Sequence, residues 1–262
     1  MSFKDWWTNS NNPKLEMSEY LYGTRHIIVL LLTAAMCVFF TLLFRKKSEK
    51  AKWILLYVFG GIFLFFEILS RVVNLIIAES YSWESVLKII LPMHICSVIV
   101  WVFIVSIFTR GKVLSDFAVI GGLIATSAFL FFPGVGINYK YMAFTCIYST
   151  FTHMLGFVTS VILMTLGIVK FNFKNIWKPL VCFTVMFIWG VILDFAIFPG
   201  ENYMYIVEDP LGINWGFPYQ LLYGPLILLY ISLFYLIPWL VKKVRNRKNK
   251  KSLSEKENAA QQ

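Results

Sequence analysis

Apolar residues run along this chain in seven long stretches, at 24–44, 53–77, 89–108, 114–132, 145–169, 177–198 and 218–241, parted by short polar connections. A helix needs about 20 mainly apolar residues to cross the hydrocarbon of a bilayer. Each stretch is about that long, and within a bilayer only helices and closed barrels satisfy their own backbone. The pattern predicts an all-α fold, a polytopic membrane helical bundle with seven transmembrane helices. It leaves three regions: a segment 1–23 outside the membrane, the seven-helix domain 24–241, and a tail 242–262. The tail reads KKVRNRKNKKSLSEKENAAQQ, charged and without apolar period, and is expected to be a basic disordered tail on the cytoplasmic side.

Charge orients the bundle. Of the 24 Lys and Arg, 18 fall on alternate connections: 45–52, 109–113, 170–178 and the tail. The opposite side holds five, Arg25 at the very start of its span among them, and Arg71 alone lies deep inside a span. Excess Lys/Arg marks the cytoplasmic face, so the N-terminus is expected outside and the C-terminus inside. Trp6, Trp7, Trp83 and Trp215 then fall at the outer interface, and Trp53, Trp177 and Trp239 at the inner one, as aromatic belts do. A composition 58% hydrophobic, with mean hydropathy +0.69, excludes a soluble globular domain. The net charge of +10 is thereby a topology signal, and no nucleic-acid partner is expected. Residues 1–23 lack the basic start and short apolar core of a cleavable signal peptide, so the first span is expected to stay uncleaved. Cys37, Cys96, Cys146 and Cys182 all lie in spans, and free thiols are expected.

Two outward-running spans end alike, in FFPGVGINYKYM (131–142) and FPGENYMYI (198–206), where Pro and Gly stop a helix. Duplication and similar helix-ending chemistry both explain the echo. The longest non-helical segment, 199–217, is either a lid over the outer face or a solvated loop.

Polar residues inside spans are costly and usually face the bundle interior. Glu67, Arg71 and Asn74 share one face of span 2 at helical spacing. They form either a self-neutralising pair with a polar glue residue or a cavity wall with Arg71 free for a phosphate. Span 3 opens LPMHICS (91–97), with Pro92 suited to a first helical turn and His94 and Cys96 pointing apart. Cys96, near a helix N-terminus, is a better nucleophile than the other thiols, or else a small apolar filler. In span 5, Ser149, His153, Gly156 and Ser160 share a face, and His153 alone would ordinarily be a packing residue. Asp194 precedes the stop of span 6. With the predicted orientation, Arg71, Asn74, His94, Cys96, His153 and Asp194 all lie in the outer half of the membrane. The inner halves read as nearly purely apolar apart from Glu67, which argues against a transport path. Such a set supports acyl transfer: a thiolate attacks an ester, a histidine moves the proton, and Arg or Asn stabilises charge. His94, His153 and Asp194 are three zinc-type ligands, but no short-range spacing supports a metal, and no cofactor is expected.

The LPMHICS opening of span 3, His153 in span 5 and NYMY (202–205) after span 6 resemble the YwaF-like family of bacterial seven-helix integral membrane proteins. Its animal relative is a transmembrane acyltransferase that makes polyunsaturated ether phospholipids. The resemblance covers roughly 20–240 and implies Cys96 as nucleophile and His153 as general base. Arg71, Asn74, His94, Asp194, Asn202 and Tyr203 are expected to line the polar cavity. The resulting expectation is a cysteine-dependent lipid acyltransferase or hydrolase acting on phospholipids in a bacterial plasma membrane. Two alternatives stay open: a small-solute transporter, and a ligand-sensing seven-helix protein without catalysis. A retinal receptor is excluded, because 218–241 holds no Schiff-base lysine.

Overall fold

A computed structural model of the full chain describes residues 6–7, 22–78, 81–131, 143–204, 218, 221, 224–240 and 243. Its long elements are helices, and no strand occurs among the described residues. They are α1 (Thr24–Phe44), α2 (Glu49–Ile76), α3 (Trp83–Ile90), α4 (Ile95–Thr109), α5 (Lys112–Phe131), α6 (Phe144–Thr165) and α7 (Trp177–Val191). A 3-10 turn, Phe173–Asn175, leads into α7, and a π-helical turn, Ile192–Ile197, continues it. The last apolar helix, α8, spans Gly224–Leu240.

Five helices are long and apolar enough to cross a membrane: α1, α2, α5, α6 and the run Phe173–Ile197. A sixth arises if α3 and α4, bent by 56° at their break, make one broken span. The seventh predicted stretch is represented by α8, which is shorter. The break corrects the reading of span 3. Pro92 does not open a helix; α4 starts at Ile95, with His94 as its N-cap in extended conformation (φ −84°, ψ 153°). Residues 83–90 fold instead as a separate amphipathic helix. Its N-cap, Ser82, accepts the Ser85 N–H at 3.1 Å, and Glu84 and Lys88 sit at the ends where the helix dipole favours them. The proline cannot continue α3, which stops just before it.

Local signals explain the other boundaries. Ser48 caps α2 by accepting the Ala51 N–H at 3.3 Å, with Glu49 in the first turn. Arg110 ends α4 in the left-handed conformation (φ 52°), and its guanidinium lies 4.8 Å over the Trp53 ring and donates to Tyr57 Oη at 2.8 Å. Gly167 (φ +72°) turns the chain after α6, and Gly200 (φ +95°) does so after the π-turn.

The core centres on α5, which packs against α4, α6 and α7. Its small residues permit that closeness, as in membrane bundles generally. A Cβ on Gly121 would lie 2.5 Å from Ile99, and one on Gly122 would lie 2.4 Å from Ser160 Oγ and 2.5 Å from Phe103. Phe103 also stacks on Phe63 of α2, with centroids 5.4 Å apart. Helix α1 is peripheral: it buries only His26, Thr33 and Cys37, packs on α6, and turns Leu31, Leu32 and Phe39 outward. The four cysteines are free thiols.

Candidate functional site

Helices α2 and α5 finish, and α4 and α6 begin, at the end of the bundle predicted to face outward. Cys96 is the second residue of α4, and its Sγ lies 3.8 Å from the Ala125 carbonyl on α5. One turn along α5, the Phe129 ring stacks on His153 of α6 with centroids 3.8 Å apart and planes 17° from parallel. Residues four apart on a helix share a face, about 6 Å apart along its axis. Cys96 and His153 therefore meet α5 from α4 and α6 at neighbouring levels. They are not hydrogen-bonded to each other.

The His153 ring is oriented by its own helix. Nδ1 lies 2.6 Å from the Ser149 carbonyl, which can only accept, so Nδ1 carries the proton. In the neutral ring that leaves Nε2 as an acceptor, and Nε2 is buried with no hydrogen-bond partner. The face predicted from Ser149, Gly156 and Ser160 is the surface that packs on α5. A Cβ on Gly156 would lie 2.8 Å from Thr126, and the Ser160 hydroxyl donates back to the Gly156 carbonyl at 3.0 Å.

A second group lies between α2 and α6. Glu67 is fully buried; it pairs with Arg71 one turn on and accepts the Tyr148 hydroxyl at 2.6 Å. Arg71 also donates through Nε to the Ile90 carbonyl at 3.1 Å, and its guanidinium lies 5.5 Å over the Trp101 ring. The arginine thus neutralises Glu67 and caps the end of α3 at the break. Asn74 donates to Ser70 Oγ at 3.4 Å. Of the two readings of this face, the geometry matches the self-neutralising pair.

A third group gathers at the π-turn. The carboxylate of Asp194, almost fully buried, accepts the Tyr203 N–H at 3.0 Å through Oδ1, while Oδ2 has no partner. His94 Nδ1 donates to the Tyr203 carbonyl at 3.2 Å, and the two rings meet edge to face at 5.3 Å. Lys88 of α3 bridges Glu84 at 3.0 Å and Glu201 at 2.9 Å. Trp189 Nε1 donates to the Pro92 carbonyl at 3.1 Å, tying α7 to the break. Burial, then the nearby Glu201 charge, pushes the Tyr203 phenol above its usual range. Residues 201–204, with Asn202 half-buried among them, fold back onto the break between α3 and α4 and onto α7. The rest of the proposed lid, 205–217, and the first copy of the Phe-Pro-Gly echo beyond Phe131 lie outside the described residues.

The structure therefore brings Cys96 and His153 to one end of α5, and His94, Asp194 and Tyr203 to one π-turn. It keeps Arg71 and Asn74 on the α2 side. Among the described residues no three His, Cys, Asp or Glu side chains are grouped so as to hold a metal.

The family model of the TMEM164 family matches residues 21–241. This chain belongs to the TMEM164 family. No curated protein and no solved structure matches it.

In this TMEM164-family chain several polar residues escaped the sequence reading. Asp116 in α5 is buried and accepts the Tyr235 hydroxyl at 3.2 Å. It adds a buried carboxylate to inner halves expected to be nearly purely apolar apart from Glu67. It lies next to the basic connection 109–113, and the sequence reading passed over it. His26 donates through Nε2 to the Leu130 carbonyl at 2.5 Å and accepts the Tyr22 N–H at 3.2 Å, closing the end of α5. Tyr148 and Trp189 look like ordinary span aromatics until their neighbours are known. Tyr148 could have been flagged as the only tyrosine in span 5.

Proposed function

We propose that this protein crosses the bacterial plasma membrane seven times, N-terminus outside, and transfers acyl groups of membrane phospholipids through Cys96 and His153. The observation that carries the reading is the bare, buried Nε2 of His153, one turn along α5 from the level of the Cys96 thiol. The resemblance to YwaF-like proteins and their acyltransferase relative points to the same two residues. Catalytic hydrogen bonds are often long in the empty enzyme and tighten with substrate bound.

The proposed reaction has two halves. Nε2 takes the Cys96 proton, and the thiolate adds to a phospholipid ester carbonyl. The tetrahedral adduct expels the glycerol oxygen, which recovers the proton from the imidazolium, leaving a thioester and a lysolipid. A second hydroxyl then gives its proton to Nε2 and attacks the thioester. Cys96 departs as thiolate and is reprotonated. With a lysolipid the product is a new phospholipid; with water it is a fatty acid. The Ser149 carbonyl holds the ring in the tautomer this needs, and Phe129 stacks against its face.

The test is acyl exchange between two phospholipids of distinguishable chains in vesicles holding the purified protein. Cys96→Ala and His153→Ala are each expected to lower the rate at least about 100-fold. Exchange that is unchanged in both variants sinks the proposal.

A second reading, a solute transporter, gains from Asp116, which places a buried carboxylate at the end opposite Asp194. It requires Asp116→Asn to abolish solute uptake while leaving the Tyr235 contact largely intact. The tightly packed Phe103, Gly122 and Ser160 between the two ends favour acyl transfer.

A further inference from the structure

Most threonines inside the described helices turn their hydroxyls back onto their own backbone, and Thr41 of α1 instead meets the Thr165 hydroxyl of α6 at 3.0 Å. In α6, Thr152 donates to the Tyr148 carbonyl at 2.9 Å, Thr159 to Leu155 at 2.7 Å and Thr165 to Val161 at 2.9 Å. Thr33, Thr109 and Thr126 do the same in α1, α4 and α5. Thr150 departs from the pattern. Only 6% of it is exposed, and its Oγ1 is buried with no hydrogen-bond partner. A buried hydroxyl left unmade costs about 1–3 kcal/mol, so its persistence needs a reason.

Its place supplies one. Thr150 lies one turn before His153 on the same face of α6, where Cβ atoms are about 5–6 Å apart. The other unpartnered buried atom of this helix is His153 Nε2. Two unpartnered polar atoms of opposite kind, a hydroxyl with a proton to give and an imidazole nitrogen that can only accept, thus belong to residues one turn apart on α6. Their surroundings are apolar: Phe129 covers the imidazole, and the buried Cys146 lies one turn before Thr150 on the same stripe. Arg71 is engaged by Glu67 on the α2 side. An anionic phosphate would have no counter-charge on this stripe. A neutral, acceptor-only oxygen suits it.

We infer that Thr150 donates its hydroxyl proton to the carbonyl oxygen of a membrane-lipid acyl ester held beside His153. This rests on the acyl-transfer reading for the fate of that ester but not for its binding. Thr150 is then a positioning residue that polarises the carbonyl and gains strength as its oxygen becomes an oxyanion.

The test is isotope-edited infrared spectroscopy on Cys96→Ala protein, which cannot turn over. The protein is held in a maltoside detergent, which has no carbonyl, with one equivalent of phosphatidylcholine carrying ¹³C at both ester carbons. A hydrogen-bonded carbonyl absorbs at lower frequency than the same lipid in protein-free detergent. The shifted band is expected in the Cys96→Ala protein, lost with Thr150→Val and Thr150→Ala, and kept with Thr150→Ser. Two removing variants guard against one that fails to fold, and unchanged thermal midpoints qualify both. In the Cys96-intact protein, Thr150→Val is expected to lower kcat/KM for acyl exchange about 100-fold, with Thr150→Ser restoring most of it. A band that survives both removals, or one never seen because water alone fills the site, overturns the inference. A Thr150-dependent band without any turnover leaves the inference standing and sinks acyl transfer; turnover without such a band does the reverse.

Discussion

Remove the Arg71 guanidinium and Glu67 becomes an unpaired anion with no exposed surface, held only by the Tyr148 hydroxyl. Breaking a buried pair from one side costs about 3–5 kcal/mol, whereas replacing both partners with apolar residues is often close to neutral. Arg71→Met is therefore expected to lower the thermal midpoint in detergent strongly, and Glu67→Met/Arg71→Met to recover most of the loss. Equal losses in the single and double variants would show that Arg71 acts through the Ile90 carbonyl and Trp101 instead. The spacing of Glu67 and Arg71 made this pair legible in the sequence. Tyr148 stands out as the one tyrosine of span 5, but its role was not legible, because it depends on α6 lying beside α2, which no local pattern encodes. The same holds for Thr150: its type is ordinary, and only its buried, unpartnered hydroxyl distinguishes it.

Helix α5 works as a hub because it is narrow where its neighbours cross. A methyl added at Gly122 meets both Phe103 and Ser160 inside contact distance. Gly122→Ala is expected to cost about 1–3 kcal/mol by overpacking and to displace α4 or α6, moving Cys96 relative to His153. Gly61→Ala on α2 is the matched control: nothing lies within 4 Å of its Cβ, and the helix gains about 1 kcal/mol of propensity. Thermal midpoints of the two variants should move in opposite directions, and acyl exchange should fall only in the first. At this scale the apolar runs were readable to within a few residues for α1, α2, α5 and α6. The reading failed at 83–94. There an apolar run continues through Pro92, but α3 ends ahead of the proline and His94 caps a new helix. Runs record hydrophobicity, whereas this break is set by Pro92 and its carbonyls are held by side chains of distant helices.

For the whole molecule, the alternating Lys/Arg connections assign Glu84 to the outer side and Lys174 to the inner side. A membrane-impermeant maleimide added to intact cells is expected to label Glu84→Cys in a protein stripped of its own cysteines, and to leave Lys174→Cys unlabelled until the cells are opened. The opposite pattern would invert the topology and put the Cys96 end in the cytoplasm. Composition made the membrane class plain. It left Asp116 unread, because a carboxylate beside a basic connection looks interfacial until α8 is seen to bring Tyr235 against it. The break between α3 and α4 carries one more consequence. Its carbonyls at Ile90 and Pro92 are taken by Arg71 and Trp189, side chains of two other helices. While both hold, hydrocarbon can lie against the kink. If either lets go, a bare carbonyl faces the lipid and draws in water. The salt-bridged arginine and the indole thus seal the kink together, as a gasket does a joint.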